Sequence, residues 1–173
     1  MTSDTKHRPK QASQPEPAQG LLGKPAPPFE LPDRSGTPVS LKSLLRSGNL
    51  VLYFYPRDMT PRCSKEACEF RDRYEAIRAR SAVVAGVSTD SAASHQKFAA
   101  KYELDFTLLS DPGGKIARRY GVYKMKKLYG REFEGIERTT FLIDRQGVVR
   151  RVFPWVKVQG HADEVLKALD ELA

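Results

Sequence analysis

The segment NLVLYFYP, Asn49–Pro56, constrains the fold more than any other stretch of the chain. It is an unbroken apolar run rich in β-formers. A strand with one wet face alternates apolar and polar residues. A run without alternation fits a central strand buried on both faces, with helices packed above and below. Pro56 closes the strand, and a helix follows from Thr60 to about Arg80. Within it Ala67, Phe70, Tyr74 and Ile77 recur on one face. Pro61 suits the first helical position, where a missing N–H costs nothing, and Thr60 is then a natural N-cap.

The rest of the chain reads in the same alternation. AVVAGVST is a second buried strand, SAASHQKFAAKYEL a helix capped by Asp90 or Ser91, and FTLLSD a third strand. GGKIARRYGV is a short helix after a Pro-Gly-Gly turn. RTTFLIDRQGVVRRVFP reads as two strands about the turn Asp144–Gly147, and HADEVLKALDELA as a closing amphipathic helix. Upstream, the prolines of LLGKPAPPFELPDRSGTPVSLKSLL and its turn at Asp33–Gly36 indicate an edge hairpin, then a helical turn opened by Ser40. The order β-α-β-α-β-α-β-β-α calls for an α/β sandwich, a central mixed sheet flanked by helices, and matches a thioredoxin-like layout. Residues 1–20, rich in Pro, Gln and Ser, read as a disordered tail before a single domain, 21–173.

Composition narrows the function. The net charge is +8, but the basic residues are scattered among acidic ones and no recognition motif accompanies them, so nucleic-acid binding is not expected. No apolar run reaches the roughly 18 residues of a membrane span, and the N-terminus lacks the apolar core of a secretory signal. The expectation is a cytoplasmic protein with no membrane partner. There, an accessible thiol pair stays reduced unless it is catalytic.

The chain's only cysteines, Cys63 and Cys68, both lie in YPRDMTPRCSKEAC. Two cysteines make no disulfide framework for a domain this large. A zinc site needs two further ligands, and His7, His95 and His161 lie at no ligand-like spacing from the pair. Cys63 falls in the first turn of the helix after the central strand. Free N–H groups and the positive end of the helix dipole favour a thiolate there, as do the nearby cations Arg57 and Arg62. Ligand sites of α/β sheets also gather at the carboxyl ends of such strands. On these grounds alone a plainer reading stays open: Thr60 only a cap, Pro56 only a strand end, both cysteines small core residues.

The segment YPRDMTPRCSKEACEFRD resembles the active-site segment of peroxiredoxins, thiol-dependent peroxidases whose motif is Pro-x-x-x-Thr/Ser-x-x-Cys. Here it is Pro56, Thr60 and Cys63, and a second cysteine five residues on resembles the bacterioferritin comigratory protein, or peroxiredoxin Q, group. GKPAPPFELPD, VAGVSTDS, FTLLSDP, YGV and GIERTTFLID extend the resemblance from about Leu22 to the C-terminus. It implies that Cys63 is the peroxidatic cysteine and Cys68 the resolving one, joined in an intrachain disulfide. It implies that Pro56 shields the pocket, that Thr60 hydrogen-bonds thiolate and peroxide, and that Arg138 in ERTTF is the arginine brought from a later strand. The implied substrates are hydrogen peroxide and alkyl hydroperoxides, and the implied reductant is thioredoxin or a similar dithiol. No metal, haem, flavin or nucleotide cofactor is implied, and a monomer is expected. Many members of the group have glycine just before the peroxidatic cysteine. This chain has Arg62, whose cation either favours the thiolate or crowds the pocket. Two rivals remain at this point: a thioredoxin-like disulfide oxidoreductase, which usually carries Cys-x-x-Cys at this junction, and a redox-regulated binding or holdase protein.

Overall fold

A computed structural model describes residues 17–172. At its centre lies a five-stranded sheet of order β5-β4-β3-β8-β9. Strands β3 (Asn49–Phe54), β4 (Ala82–Ser88) and β5 (Thr107–Ser110) run parallel, while β8 (Thr139–Ile143) and β9 (Val149–Phe153) continue the sheet antiparallel. The mixed sheet expected from the element order is therefore present. In β3 the pleat sends alternate side chains to opposite faces. Val51 and Tyr53, continued by Tyr55, enter a core with α2 (Pro61–Ala79), α3 (Ala92–Tyr102) and α5 (His161–Leu172). Leu50, Leu52 and Phe54 enter a second core with α1 (Leu41–Leu45) and α4 (Lys115–Arg119). Burial on both faces is the physical reason that NLVLYFYP carries no alternation. A side chain such as Phe70, fully buried in the first core, contributes about 1.5–3 kcal/mol.

The edge hairpin expected upstream is β1 (Glu30–Pro32) paired antiparallel with β2 (Pro38–Ser40). Ser40 opens α1 with a full capping box to Ser43. Ser91, not Asp90, caps α3, and Asp90 is used elsewhere. Of the segment read as a tail, residues 1–16 lie outside the described residues. Ala18–Leu21 form a 3-10 turn with Ala18 buried, and Gly23 N–H then donates to the Val149 carbonyl of β9.

One element has no counterpart in the sequence reading. Strands β6 (Tyr123–Leu128) and β7 (Arg131–Ile136) form an antiparallel hairpin of their own. Met125, Leu128, Tyr129 and Phe133 are exposed on it, so the hairpin buries no continuous face and leaves no readable alternation.

Candidate active site

Strand β3 delivers the chain to Tyr55 and Pro56, a short loop follows, and α2 starts at Pro61. Thr60 occupies the N-cap position with extended backbone. Its hydroxyl does not cap the helix: it donates to the Arg57 carbonyl at 3.0 Å. Cys63 is the third residue of α2 and is 2% exposed. Its sulfur thus lies where the helix leaves N–H groups unpaired and the dipole is positive.

Arg138 reaches this sulfur from 75 residues further along the chain. It follows β7 and immediately precedes Thr139, which pairs with Phe54 at the carboxyl end of β3. The antiparallel register therefore sets the guanidinium over the start of α2. Arg138 Nη2 donates to Cys63 Sγ at 3.1 Å, and Nη1 donates to Glu66 Oε1 at 2.6 Å. Such a fork, charged at every working pH, presents paired donors to the sulfur and to the carboxyl beside it.

Glu66 is the residue that the sequence reading missed on this side. It is 1% exposed, and its Oε2 has no hydrogen-bond partner. Burial pushes its carboxyl up to about 7, against the opposing pull of the Arg138 charge and hydrogen bond. Its spacing of three residues from Cys63 puts both on one helix face, which is the signal that could have found it. Lys126 of β6 donates to the Ile136 carbonyl, and burial lowers its ammonium, with Glu137 acting in the opposite sense.

The loop 56–60 has its own buried support, which the sequence reading also missed. Asp58 accepts from Tyr55 OH at 2.6 Å and from Ser94 Oγ at 2.8 Å, and it meets His95 Nδ1 at 2.7 Å. Its backbone N–H donates to Asp90 Oδ2 at 2.8 Å. Burial alone would raise the Asp58 carboxyl, but the hydrogen bonds from His95 and Tyr55 and the charge of His95 hold it below the usual range. Met59, next in the loop, is exposed at a positive φ of 65°.

Cys68 lies half-buried further along α2, and both cysteines are free thiols. The helix runs unbroken through both. A five-residue step along an α-helix separates Cα atoms by roughly 8.7 Å, beyond the about 4.4–6.8 Å that a disulfide spans. Among the site residues read from sequence, the structure brings Cys63 and Arg138 into contact, sets Thr60 and Pro56 in the loop before them, and keeps Cys68 apart. Arg62 is exposed, and its charge acts on Glu66.

A buried free thiol at a helix N-terminus, met by an arginine from a neighbouring strand on a mixed sheet, has the arrangement of a thiol redox site. The AhpC/TSA family model matches residues 22–152, and the chain belongs to that family. Within it the relatives are peroxiredoxins. The chain is 44% identical to peroxiredoxin Bcp of Bacillus subtilis over 152 residues, 88% of this chain and 96% of the relative. It is 45% identical to the chloroplastic peroxiredoxin Q of Sedum lineare over 158 residues, 90% of this chain and 81% of the relative. The bacterioferritin comigratory protein of Xanthomonas campestris, studied for alkyl peroxide reduction, superposes with a TM-score of 0.78 at 39% identity, covering 83% of this chain and 91% of that one. The chain is a thiol-dependent peroxidase of the Bcp and peroxiredoxin Q group.

Proposed function

We propose that Cys63 is the peroxidatic cysteine, that Cys68 resolves it, and that the substrates are hydrogen peroxide and alkyl hydroperoxides. The observation that carries this reading is the 3.1 Å contact of the Arg138 guanidinium with Cys63 Sγ at the first turn of α2. The Cys63 thiolate attacks the terminal oxygen of the hydroperoxide. The S–O bond forms as the O–O bond breaks, and the departing alkoxide or hydroxide takes a proton to leave as alcohol or water. Cys63 is then a sulfenic acid. The Cys68 thiol displaces its hydroxyl as water, and the two sulfurs join in an intrachain disulfide. A thioredoxin-type dithiol returns both to thiols by exchange and is itself oxidised. In this scheme Pro56 shields the thiolate, and the Thr60 hydroxyl turns toward thiolate and peroxide.

The spacing along α2 gives the order of events. While the helix is intact, Cys63 meets peroxide before it can meet Cys68. Disulfide formation requires the first turns to open. The working unit is a monomer, because no partner subunit is needed to supply a sulfur. A cytoplasmic setting fits this chemistry, and no helix among the described residues is long and apolar enough to cross a membrane. Many basic side chains are matched by acids, as in Arg73–Asp163, Arg80–Asp170, Arg118–Glu134 and Arg151–Glu171, which supports a surface not specialised for nucleic acid. The catalytic domain is residues 21–173, with the 3-10 turn Ala18–Leu21 at its threshold.

Peroxide consumption coupled to thioredoxin, its reductase and NADPH tests the reading. Turnover with a Cys63–Cys68 intrachain disulfide in the oxidised protein is the expected result. Disulfide reduction without peroxide consumption would point to a thioredoxin-like oxidoreductase. Covalent dimers as the main oxidised product would overturn the intrachain pairing.

A further inference from the structure

His95 is fully buried, and both of its ring nitrogens are committed. Nε2 lies 2.9 Å from the Leu109 carbonyl of β5, which can only accept, so Nε2 carries a proton. Nδ1 lies 2.7 Å from Asp58 Oδ2. That carboxylate already accepts from Tyr55 OH at Oδ1 and from Ser94 Oγ at Oδ2. Through its two ring nitrogens His95 thus ties the Asp58 carboxyl to the backbone of β5. Asp58, Asp90 and His95 have the residue types of a cation site and lie within 4.8 Å of one another. Their atoms are engaged otherwise: Nε2 turns to the Leu109 carbonyl, and Asp90 Oδ2 accepts from the Asp58 N–H and from Ser88 Oγ.

The network joins three elements at one point. Asp58 belongs to the loop between β3 and α2, Ser94 and His95 to α3, and Leu109 to β5. Of these, only the loop carries groups of the reaction: Pro56 lies two residues before Asp58 and Thr60 two after it. A loop with an exposed Met59 at positive φ needs an anchor, and Asp58 is where it is held from the inside.

We propose that His95 is a positioning residue of the peroxidase reaction: by bridging the Leu109 carbonyl to Asp58 it fixes residues 56–60 over Cys63 and makes them the stationary side of the hinge at which α2 opens. The inference rests on the functional reading above. Its consequence is directional. When Cys63 is oxidised, the turns that follow Thr60 come apart while Asp58 stays docked.

Rapid-mixing measurement of Cys63 oxidation by hydrogen peroxide tests the positioning role. His95→Gln has a single donor nitrogen and cannot bridge both acceptors, and Asp58→Asn removes the charge. Each should slow oxidation at least tenfold, and the double variant should be no slower than the slower single one. Ile77→Ala, in the same core at the far end of α2, should lower the melting temperature and leave the rate unchanged. Single-variant rates within twofold of the parent, or fully additive effects, would overturn the role. The unaltered protein supplies a second test that needs no variant. The His95 Nε2 proton should be visible by 15N NMR and protected from exchange, and the Asp58 amide should keep its exchange protection on oxidation while amides 64–68 lose theirs. A ring with no proton on Nε2, or an Asp58 amide released together with Ser64, would overturn the anchor. Parent protein that consumes no peroxide would remove the functional reading as well; a reactive parent with indifferent variants would remove only the role of His95.

Discussion

The start of α2 and the hairpin β6–β7 both carry ion pairs, and the two regions use them differently. At the start of α2, Arg138 and Glu66 meet at 2.6 Å with side chains only 10% and 1% exposed. On the hairpin, Lys127 and Glu132 meet at 3.4 Å with 78% and 59% of their side chains exposed. Water screens the second pair, whose contribution is about 0–1 kcal/mol. The first pair is dry, so removing one partner strands a buried charge, a change that costs about 3–5 kcal/mol unless the survivor takes up or releases a proton. Burial, not the number of charged contacts, decides where an ion pair can tune a nucleophile.

The comparison can be broken most sharply at the sulfur itself. Cys63→Ser should abolish peroxidase turnover and leave the circular dichroism spectrum unchanged, because the hydroxyl fits the same space but is no nucleophile at neutral pH. Near-normal peroxide consumption would exclude Cys63 as the reacting group. Arg138→Ala comes next. It removes a charge-assisted hydrogen bond worth about 1.5–3 kcal/mol, so peroxide attack should slow roughly ten- to a hundredfold. An unchanged pH–rate profile for alkylation of Cys63 would count against this role.

Glu66→Gln sharpens the comparison through pH. The native carboxyl sits at about 7 against an ordinary 4.5, so the folded protein holds this proton more tightly than the unfolded chain. A group raised in this way contributes stability that is full below 4.5 and is lost as pH rises through about 7, up to about 3 kcal/mol over that window. Denaturant unfolding of Glu66→Gln should lack that part of the decline. An identical decline in the variant would show that Glu66 does not titrate there. The smallest effect belongs to the hairpin: Tyr129 is 97% exposed, and Tyr129→Ser should shift stability by less than about 0.5 kcal/mol. A large loss in calorimetry would mean that the hairpin is held by more than its own ladder.

Much of this was legible from local patterns. The unbroken apolar run of β3, the helical spacing of Ala67, Phe70 and Ile77, and the turn at Asp144 each report burial or backbone geometry within a few residues. The hairpin β6–β7 was not legible, because Lys124, Met125, Lys127 and Leu128 are all exposed and no buried face imposes a period. Thr60 was legible as a position but not as a contact: the cap site is local, whereas its hydroxyl turns to Arg57.

What the sequence determined by itself is the central strand, the helix after it, and a cysteine at that helix's start, since hydrophobic period, proline placement and capping chemistry act over a few residues. The tertiary structure decided the contacts around that cysteine, since the family resemblance named Arg138 but not its geometry or its partner Glu66. The register of β8 on β3 brings Arg138 to the sulfur, and the burial of Glu66 follows from that packing. The parallel ladder β3-β4-β5 sets Leu109 where His95 can bridge it to Asp58. Strand register and helix packing choose partners 75 and 37 residues apart, and no local period encodes that choice.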